Sequence, residues 1–401
     1  MSALTTTVAE PPHHPVAIVG AGLGGLVAAR VLHVHGVPAV VLEGEAAREA
    51  RTQGGMLDIH ADSGQLALRS AALLEELFGI VHPGGQAMRI LDGHATVLRE
   101  ETDDGTGDRP EVDRGQLRDL LLDALPDGTV RWGAKVVRAV ADPAQQGRHR
   151  VELADGTAFT TDLLVGADGA WSRVRPLLTA ARPAYAGVSF VEADLFDADV
   201  AHPAESAAVG GGMLFALQGE VGILAHRETD GGLHLYLGHR CAEGWSDTVD
   251  WSDPDAARAS VLDLVPGWDD ALRGLVAHAD TPLTPRRIHV LPAGLSWPRV
   301  AGVTLLGDAA HLMSPFAGEG ANLAMHDGAE LALAIVAQPD DVEAGLVAYE
   351  EAMFVRGAAA AAESAQSLDL IFSPDSPRGL VEAFAGFDED AAREVERSVV
   401  A

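Results

Sequence analysis

Cysteine is nearly absent from this sequence: Cys241 is the single one in 401 residues. No intramolecular disulfide can form, and no zinc cluster can be assembled from thiolates. Positive charge is scarce too. Twenty-eight basic residues face 59 acidic ones, a net charge of −31, and Lys135 is the single lysine. Such a chain is a poor nucleic-acid binder and is repelled by anionic membrane surfaces. No apolar run approaches the ~18–20 residues that a membrane span needs. Residues 1–14 lack the charged and apolar regions of a signal peptide and read as a disordered lead-in, so a cytoplasmic location is expected. There is no G-x-S-x-G to support a serine hydrolase. The 16 histidines include no H-x-x-x-H helix pair with a carboxylate between, so no metal is expected.

What is present is a globular composition, 47% apolar and 22% charged, and a length that allows two or three structural units. Residues 16–19 are a short apolar run of the kind buried on both faces of a sheet. A glycine-rich turn follows, then a helix over 26–35 ended by Gly36, then a second buried strand over 39–42. That order is β-α-β, the parallel crossover unit. Helical spacing marks 64–77 and 115–125, and short strands are read at 130–131, 136–140, 150–153 and 159–165. After Arg182 the pattern changes to strands at 188–195, 212–217, 221–225 and 233–239, split by turn residues, which predicts an antiparallel sheet. A buried strand at 303–306, a Gly/Pro-rich loop, a helix over 322–336 and an Ala/Glu-rich helical tail from 344 complete the chain.

Three glycine-bearing loops follow the buried strands. Gly20-Ala21-Gly22-Leu23-Gly24-Gly25 is a G-x-G-x-x-G that follows a strand, opens a helix and precedes an acidic residue, Glu43, at the end of the next strand. In that context Gly20 permits a tight turn, Gly22 lets a pyrophosphate approach the backbone, and Gly25 lets the helix pack close to the sheet. Helix N–H groups and the positive end of the dipole face the phosphates. Glu43 suits ribose hydroxyls, and its charge disfavours a 2′-phosphate. Leu163-Leu164-Val165-Gly166-Ala167-Asp168-Gly169 and Val303-Thr304-Leu305-Leu306-Gly307-Asp308 each deliver a carboxylate from a buried strand to the carboxyl edge of the sheet, where ligands of open α/β folds bind. The loop from Pro315 through Gly318 and Gly320 to Asn322 then lets backbone approach a flat ring, with the next helix pointing its positive end at that ring.

With these motifs in this order, the chain resembles the group A flavoprotein monooxygenases of the p-hydroxybenzoate hydroxylase type over essentially its whole length. A narrower resemblance, to the tetracycline-inactivating flavin monooxygenases, rests on three stretches. They are Gly54-Gly55-Met56-Leu57-Asp58-Ile59-His60 with Ser63-Gly64-Gln65, Glu111-Val112-Asp113-Arg114 with Leu117-Arg118, and Gly307-Asp308-Ala309-Ala310-His311 running to Gly318. The resemblance implies FAD bound at the positions Asp58, Arg114 and Asp308, and NADPH met by Arg51. It implies one FAD and no separate nucleotide fold for NADPH, in keeping with the single G-x-G-x-x-G. NADPH-reduced flavin would take O2 to a C4a-hydroperoxide that hydroxylates an electron-rich carbon, so no catalytic side chain and no metal are required of the protein.

The expected fold is α/β. A Rossmann-like FAD-binding domain is discontinuous over 15–80, 106–182 and 286–340. A mixed antiparallel-sheet substrate domain covers 81–105 and 183–285, and a C-terminal helical segment over 341–401 bridges the two. The substrate side is expected at Glu192, Met213, Phe215, His234 and Tyr236. By the resemblance His234 matches a substrate-contacting histidine. Glu192 stands where that family has Gln, Gly212 where it has Arg, and Tyr236 where it has Gly. A lost arginine and a gained carboxylate point away from tetracycline itself, toward a related polycyclic or phenolic small molecule hydroxylated by a monomeric enzyme. Two alternatives stay open on the same fold: a flavin-dependent halogenase, whose G-W-x-W-x-I-P is broken here at Gly244-Trp245-Ser246-Asp247, and a flavin-binding protein without turnover.

Overall fold

The computed structural model describes residues 11–50, 55–103 and 109–386. Two seven-stranded sheets and a two-stranded ribbon organise them. In the first sheet the order is Val130–Arg131, Val40–Leu42, His13–Val19, Ala158–Gly166, His149–Leu153 and Val136–Ala141, with Val303–Leu305 also paired to Ala158–Gly166. The two pairings that join the strands leading into the glycine loops are parallel. The register sets Val19 opposite Gly166 and Gly166 opposite Leu305. All three strands therefore end at one edge, and the residues that follow them, Gly20, Ala167-Asp168 and Leu306-Gly307-Asp308, emerge side by side.

Close helix packing keeps those loops together. The helices Leu23–Val34 and Glu319–Ala337 cross at backbone contact. A Cβ on Gly24 would stand 2.5 Å from the Ala324 carbonyl oxygen, and one on Gly328 would stand 2.3 Å from that of Gly24. Around this crossing lies the larger core, with Ile18, Leu26, Leu32, Leu164 and Leu305 almost wholly buried.

The second sheet runs Thr284–Val290, Ala184–Leu195, Leu233–Arg240, Val221–Arg227, Met213–Gln218, Met88–Asp92 and Val97–Glu101. Its pairs are antiparallel except Met213–Gln218 with Met88–Asp92. One face packs Val191, Leu214, Ile223 and Leu235 against apolar residues of the helices Pro254–Leu262 and Asp270–Ala277. The other carries Val188, Phe190, Leu217 and Leu224, which pack on Phe372 at the end of the helix Val342–Ile371.

Several expectations shift. The strand that opens the first sheet begins at His13, inside the stretch read as lead-in, because His13 bonds Thr160 and Asp162 on the neighbouring strand. Residues 1–10 lie outside the described residues. The helix read over 64–77 breaks into Gly64–Ser70 and Leu74–Leu77, because Ala72 takes a left-handed φ of 55°. The strand Thr284–Val290 extends the second sheet past residue 285, where the sequence boundary was drawn. The helical tail read from 344 consists of the helix Val342–Ile371 and, after a turn, further helix over 378–386; residues 387–401 lie outside the described residues. Among the described residues no helix is long and apolar enough to cross a membrane.

Candidate active site

The first loop has the sterics its glycines require. Gly20 takes φ 108°, and a Cβ there would stand 2.3 Å from the Ala167 carbonyl oxygen; one on Gly25 would stand 2.2 Å from that of Gly20. Gly22 differs, since a Cβ there would meet nothing within 4 Å. The backbone at Gly22 thus borders open space, and no side chain caps the helix that follows, so its first N–H groups are left for an anion. Glu43 is anchored beside the loop. Its Oε2 accepts from the Ala21 N–H at 2.8 Å and its Oε1 from the Glu45 N–H at 2.9 Å, which leaves a further lone pair on each oxygen. Arg118, which the sequence reading quoted within a motif but gave no role, is buried against this loop. It donates to the Ala21 carbonyl at 3.2 Å and to Glu45 Oε2 at 3.1 Å. The available signal was its place one helical turn beyond Arg114.

The two aspartates come from neighbouring loops that share one clamp. Asp168 Oδ2 accepts from the Arg173 N–H at 2.6 Å, while Oδ1 is buried without a partner, and burial pushes the carboxyl pKa up. Arg175 is buried and donates to the carbonyls of Ala170 at 2.9 Å, Asp308 at 3.1 Å and Ala309 at 2.7 Å, tying both loops together. The Asp308 side chain is solvent-accessible, yet enough protein surrounds it that desolvation raises its pKa, which places the carboxylate on the floor of a cleft. Arg114, exposed at the start of the helix Arg114–Asp123, acts on Asp308 through its charge. Behind the loop, the wholly buried Asp327 accepts from the Gly307 N–H at 3.1 Å, from His311 Nε2 at 2.5 Å and from Arg356 at 3.3 Å.

A third group closes the cradle. His60 is buried and donates from Nε2 to Asp58 Oδ2 at 2.8 Å and from Nδ1 to Glu319 Oε1 at 3.1 Å. Asn322 is wholly buried: its amide donates to the carbonyls of Asp58 and Gly318 at 2.8 and 3.1 Å and accepts from the His60 N–H at 3.0 Å. With both amide protons engaged, Asn322 shapes the cradle and has no donor left for a ligand. Pro315 is exposed and opens the turn Pro315–Ala317, and Gly318 lies directly over Asp58. Arg51 lies outside the described residues.

Burial alone would lower the His60 pKa, but Asp58 and Glu319 outweigh it and push it up to about 9. The sign follows. A pKa raised above 6.5 stabilises the fold fully below that value, and the contribution is lost as pH climbs through about 9. The Tm should fall between about pH 7 and about pH 10 by more in the natural protein than in His60→Gln, as scanning calorimetry would read. Parallel pH profiles for the two would refute the network.

The cross-strand register puts every expected substrate residue on one face of the second sheet. Phe215, Leu224, Tyr236 and Glu192 form one row, and Met213, His226, His234 and Asp194 form the next. His234 Nδ1 bonds Asp194 Oδ1 at 2.6 Å, its ring meets Tyr236 edge-on at 4.6 Å, and its Nε2 is buried without a partner. Burial opposes its charge, yet Asp194 raises its pKa. Two further carboxyls, Glu228 beside His234 and Glu111 beside Glu228 and Asp58, had no role assigned from the sequence. Glu228 Oε1 and Glu111 Oε2 are both buried and unpartnered; burial, with Asp113, Asp230 and Asp194 nearby, pushes Glu228 to about 7, and burial with the charges of Asp58 and Glu228 pushes Glu111 to about 8. The signal for Glu228 was its place two residues after His226, just past the end of the strand Val221–Arg227.

The expected change in pocket polarity needs correction. Glu192 is not a free carboxylate, because Arg286 on the unforeseen strand Thr284–Val290 engages its Oε1 through Nε at 2.9 Å and also through Nη2. Gly212 has a steric cause: a Cβ there would stand 2.2 Å from the Ala87 carbonyl oxygen and 2.5 Å from that of Gly85. Phe316, from the loop after Asp308, meets Phe190 at 5.6 Å and Phe372 at 5.4 Å, so the first sheet's loop and the second sheet's face share an apolar end.

A glycine loop, two strand-end aspartates and an uncapped helix on one sheet edge, facing a half-polar sheet across a cleft, define a flavoprotein oxidoreductase. The chain matches the FAD binding domain family over residues 13–253 and 296–364 and belongs to it. It is a flavoprotein monooxygenase of the aromatic hydroxylase kind. Monooxygenase penA of Penicillium thymicola is 30% identical to it over 84% of this chain and 90% of that one. Among solved structures, Klebsiella pneumoniae HpxO complexed with FAD and uric acid is similar with a TM-score of 0.76 and 23% identity, covering 92% of each chain. Tetracycline destructase Tet(51) gives a TM-score of 0.70 at 18% identity, covering 93% of this chain and 94% of that one. These two likenesses show the shared fold. The site residues fit FAD: open space at Gly22, free helix N–H groups, an orphaned Asp168 oxygen and the accessible Asp308 match a phosphate chain and a polyol.

Proposed function

We propose that this flavoprotein is an NADPH-consuming hydroxylase of an aromatic or enolised polycyclic small molecule. The observation that carries the reading is the cleft wall. The aromatic and apolar row of Phe215, Leu224 and Tyr236 suits a flat ring system, and next to it lies the unpartnered His234 Nε2, with the orphaned Glu228 Oε1 near that imidazole. Buried polar atoms of this kind need partners, and a substrate bearing hydroxyl or carbonyl groups supplies them. His234, whose pKa Asp194 raises against burial, donates from Nε2 to a substrate oxygen and favours its phenolate or enolate form, which makes the adjacent carbon electron-rich.

On this reading the first sheet and its helices hold FAD. The Gly20–Gly25 loop and the helix start take the pyrophosphate, and Glu43 takes the ribose. Asp168 and Asp308 hold the polyol chain, with Arg114 and the loop from Pro315 to Gly318 near the ring; Asp58 holds that loop. Arg51 meets NADPH. Bound FAD, reduced by NADPH, supplies activated oxygen from O2 for hydroxylation. The second sheet orients the substrate and excludes water. The lone Lys135 packs beside Gly44, in the first sheet's half, which leaves the second sheet's cleft face without the lysine a halogenase would need.

The test is NADPH consumption over a panel of tetracyclines, anthraquinones and simpler phenols, with product mass measured. Strong stimulation by a polycyclic phenol or enol, with a gain of one oxygen and FAD released into the supernatant on acid precipitation, is the expected result. Tetracycline itself is expected to be a weak substrate. No stimulation by any phenol or enol would refute the reading.

A further inference from the structure

The helices over the far face of the second sheet bring three metal-capable side chains together. His202 precedes the helix Pro203–Val209, Glu205 lies in its first turn, and His278 follows the helix Asp270–Ala277. One ligand atom from each lies within 4.8 Å of the other two. Glu205 is the unusual member. Its side chain is 6% exposed, and among the described residues its one ion-pair partner is His278, whose Nδ1 is 2.7 Å from Oε1. A buried carboxylate needs a counter-charge, and here no arginine or lysine supplies one. The carboxylate is also fixed in place, since a Cβ on Gly274 would stand 2.1 Å from Glu205 Oε1.

The two imidazoles are arranged around that carboxylate. The rings of His202 and His278 are stacked, 19° from parallel with centroids 6.4 Å apart. His202 Nε2 is 3.0 Å from Asp280 Oδ2, which also accepts from the Phe196 N–H at 2.8 Å. Asp280 is thereby held by backbone and orients the imidazole, as carboxylates do behind metal-bound histidines. His278 is 61% exposed, so its ring is free to close on an ion.

We propose that His202, Glu205 and His278 form a divalent-metal site, of zinc-type donor chemistry, that clamps the helix Pro203–Val209 to the end of the helix Asp270–Ala277. Two imidazoles and one carboxylate are a borderline donor set that suits zinc, with water completing the coordination. The ion takes the place of the hydrogen bond between His278 Nδ1 and Glu205 Oε1, 2.7 Å apart, and binding releases the proton that bond holds. Other titratable groups facing the site are Asp280, on His202, and Asp199, which lies one turn away and is paired with Arg227. Sequence inspection missed the cluster because His202 and Glu205 are three residues apart while His278 arrives only through the crossing of two helices.

The experiment uses the full chain with FAD bound, stripped of metal by EDTA. Zinc chloride is titrated calorimetrically and cobalt chloride by visible absorption. The expected result is one equivalent bound with a Kd of about 10 μM or tighter and a cobalt spectrum of low coordination number. Saturating zinc should raise the Tm. His278→Ala, at an exposed position, should weaken binding about tenfold or more with FAD content unchanged, and Glu205→Gln should weaken it as well. No saturable binding at about 100 μM zinc, or an unchanged Kd in folded His278→Ala protein, would overturn the assignment.

Discussion

Gly212→Arg is expected to destabilise the protein by about 3 kcal/mol or more without placing a cation in the cleft. Any Cβ at this position would overlap the carbonyl oxygens of Ala87 and Gly85, at 2.2 and 2.5 Å. Both atoms are backbone, and they lead into the strand Met88–Asp92, which pairs in parallel with Met213–Gln218 and bonds the Met213 N–H through the Ala87 carbonyl at 2.8 Å. Relief of the overlap must therefore pull two strands apart. Gly211→Arg is the control, because a Cβ there meets the Ala87 Cβ at 3.7 Å and the Gly84 carbonyl oxygen at 3.8 Å, both ordinary contacts. Urea denaturation of the three proteins reads the difference as a shift in midpoint. A Gly212→Arg protein as stable as the natural one would show that this edge of the sheet yields easily and that the absent arginine has no steric cause.

Removing the Asp327 carboxylate should be costlier still for the cofactor. Asp327→Ala leaves three donors, the Gly307 N–H, His311 Nε2 and Arg356, without their buried acceptor. Breaking a buried ion pair from one side costs roughly 3–5 kcal/mol. Burial would raise the Asp327 pKa, but His311 holds it low, so the pair is charged and the loss is that of a charge. The Gly307–Asp308 loop then loses its anchor, and both Tm and FAD content should fall. Asp308→Ala separates the two effects. Its carboxylate faces the cleft, so its removal should weaken FAD binding roughly ten- to a hundredfold, the worth of a charge-assisted hydrogen bond, and leave the Tm of the FAD-free protein unchanged. Equal FAD affinity in Asp308→Ala and the natural protein would remove Asp308 from the cofactor site.

The parts of the site that were legible in the sequence share one property: a strand, a turn and a helix in direct succession. Val16–Val19 with Gly20–Gly25, and the strands leading to Asp168 and Asp308, each announce themselves through a buried apolar run and glycines at fixed offsets. Among the strands that escaped notice, Met56–Asp58 and Glu111–Asp113 are three residues each, too short to show a period of two; Met88–Asp92 and Val97–Glu101 escaped as well. Thr284–Val290, with two adjacent arginines, reads as a solvated stretch until it is seen at a sheet edge. Met213, Phe215, His234 and Tyr236 share one face, because residues two apart on a strand must do so and pairing register then aligns the rows.

The sequence by itself determined the class of chemistry: one dinucleotide fingerprint, two strand-end aspartates and a glycine-rich loop suffice, since each is a local device whose geometry depends on a few neighbouring residues. The tertiary structure decided how charge is balanced around those devices. Arg286 neutralises Glu192 across 94 positions, Glu319 raises the pKa of His60 across 259, and Arg175 binds the Asp308 loop across 133. Such pairs follow from which strands are neighbours and which helices cross. No periodicity along the chain records them, because the free energy that selects them comes from burying whole faces of sheet and helix, and the charged partners are carried into contact by that packing.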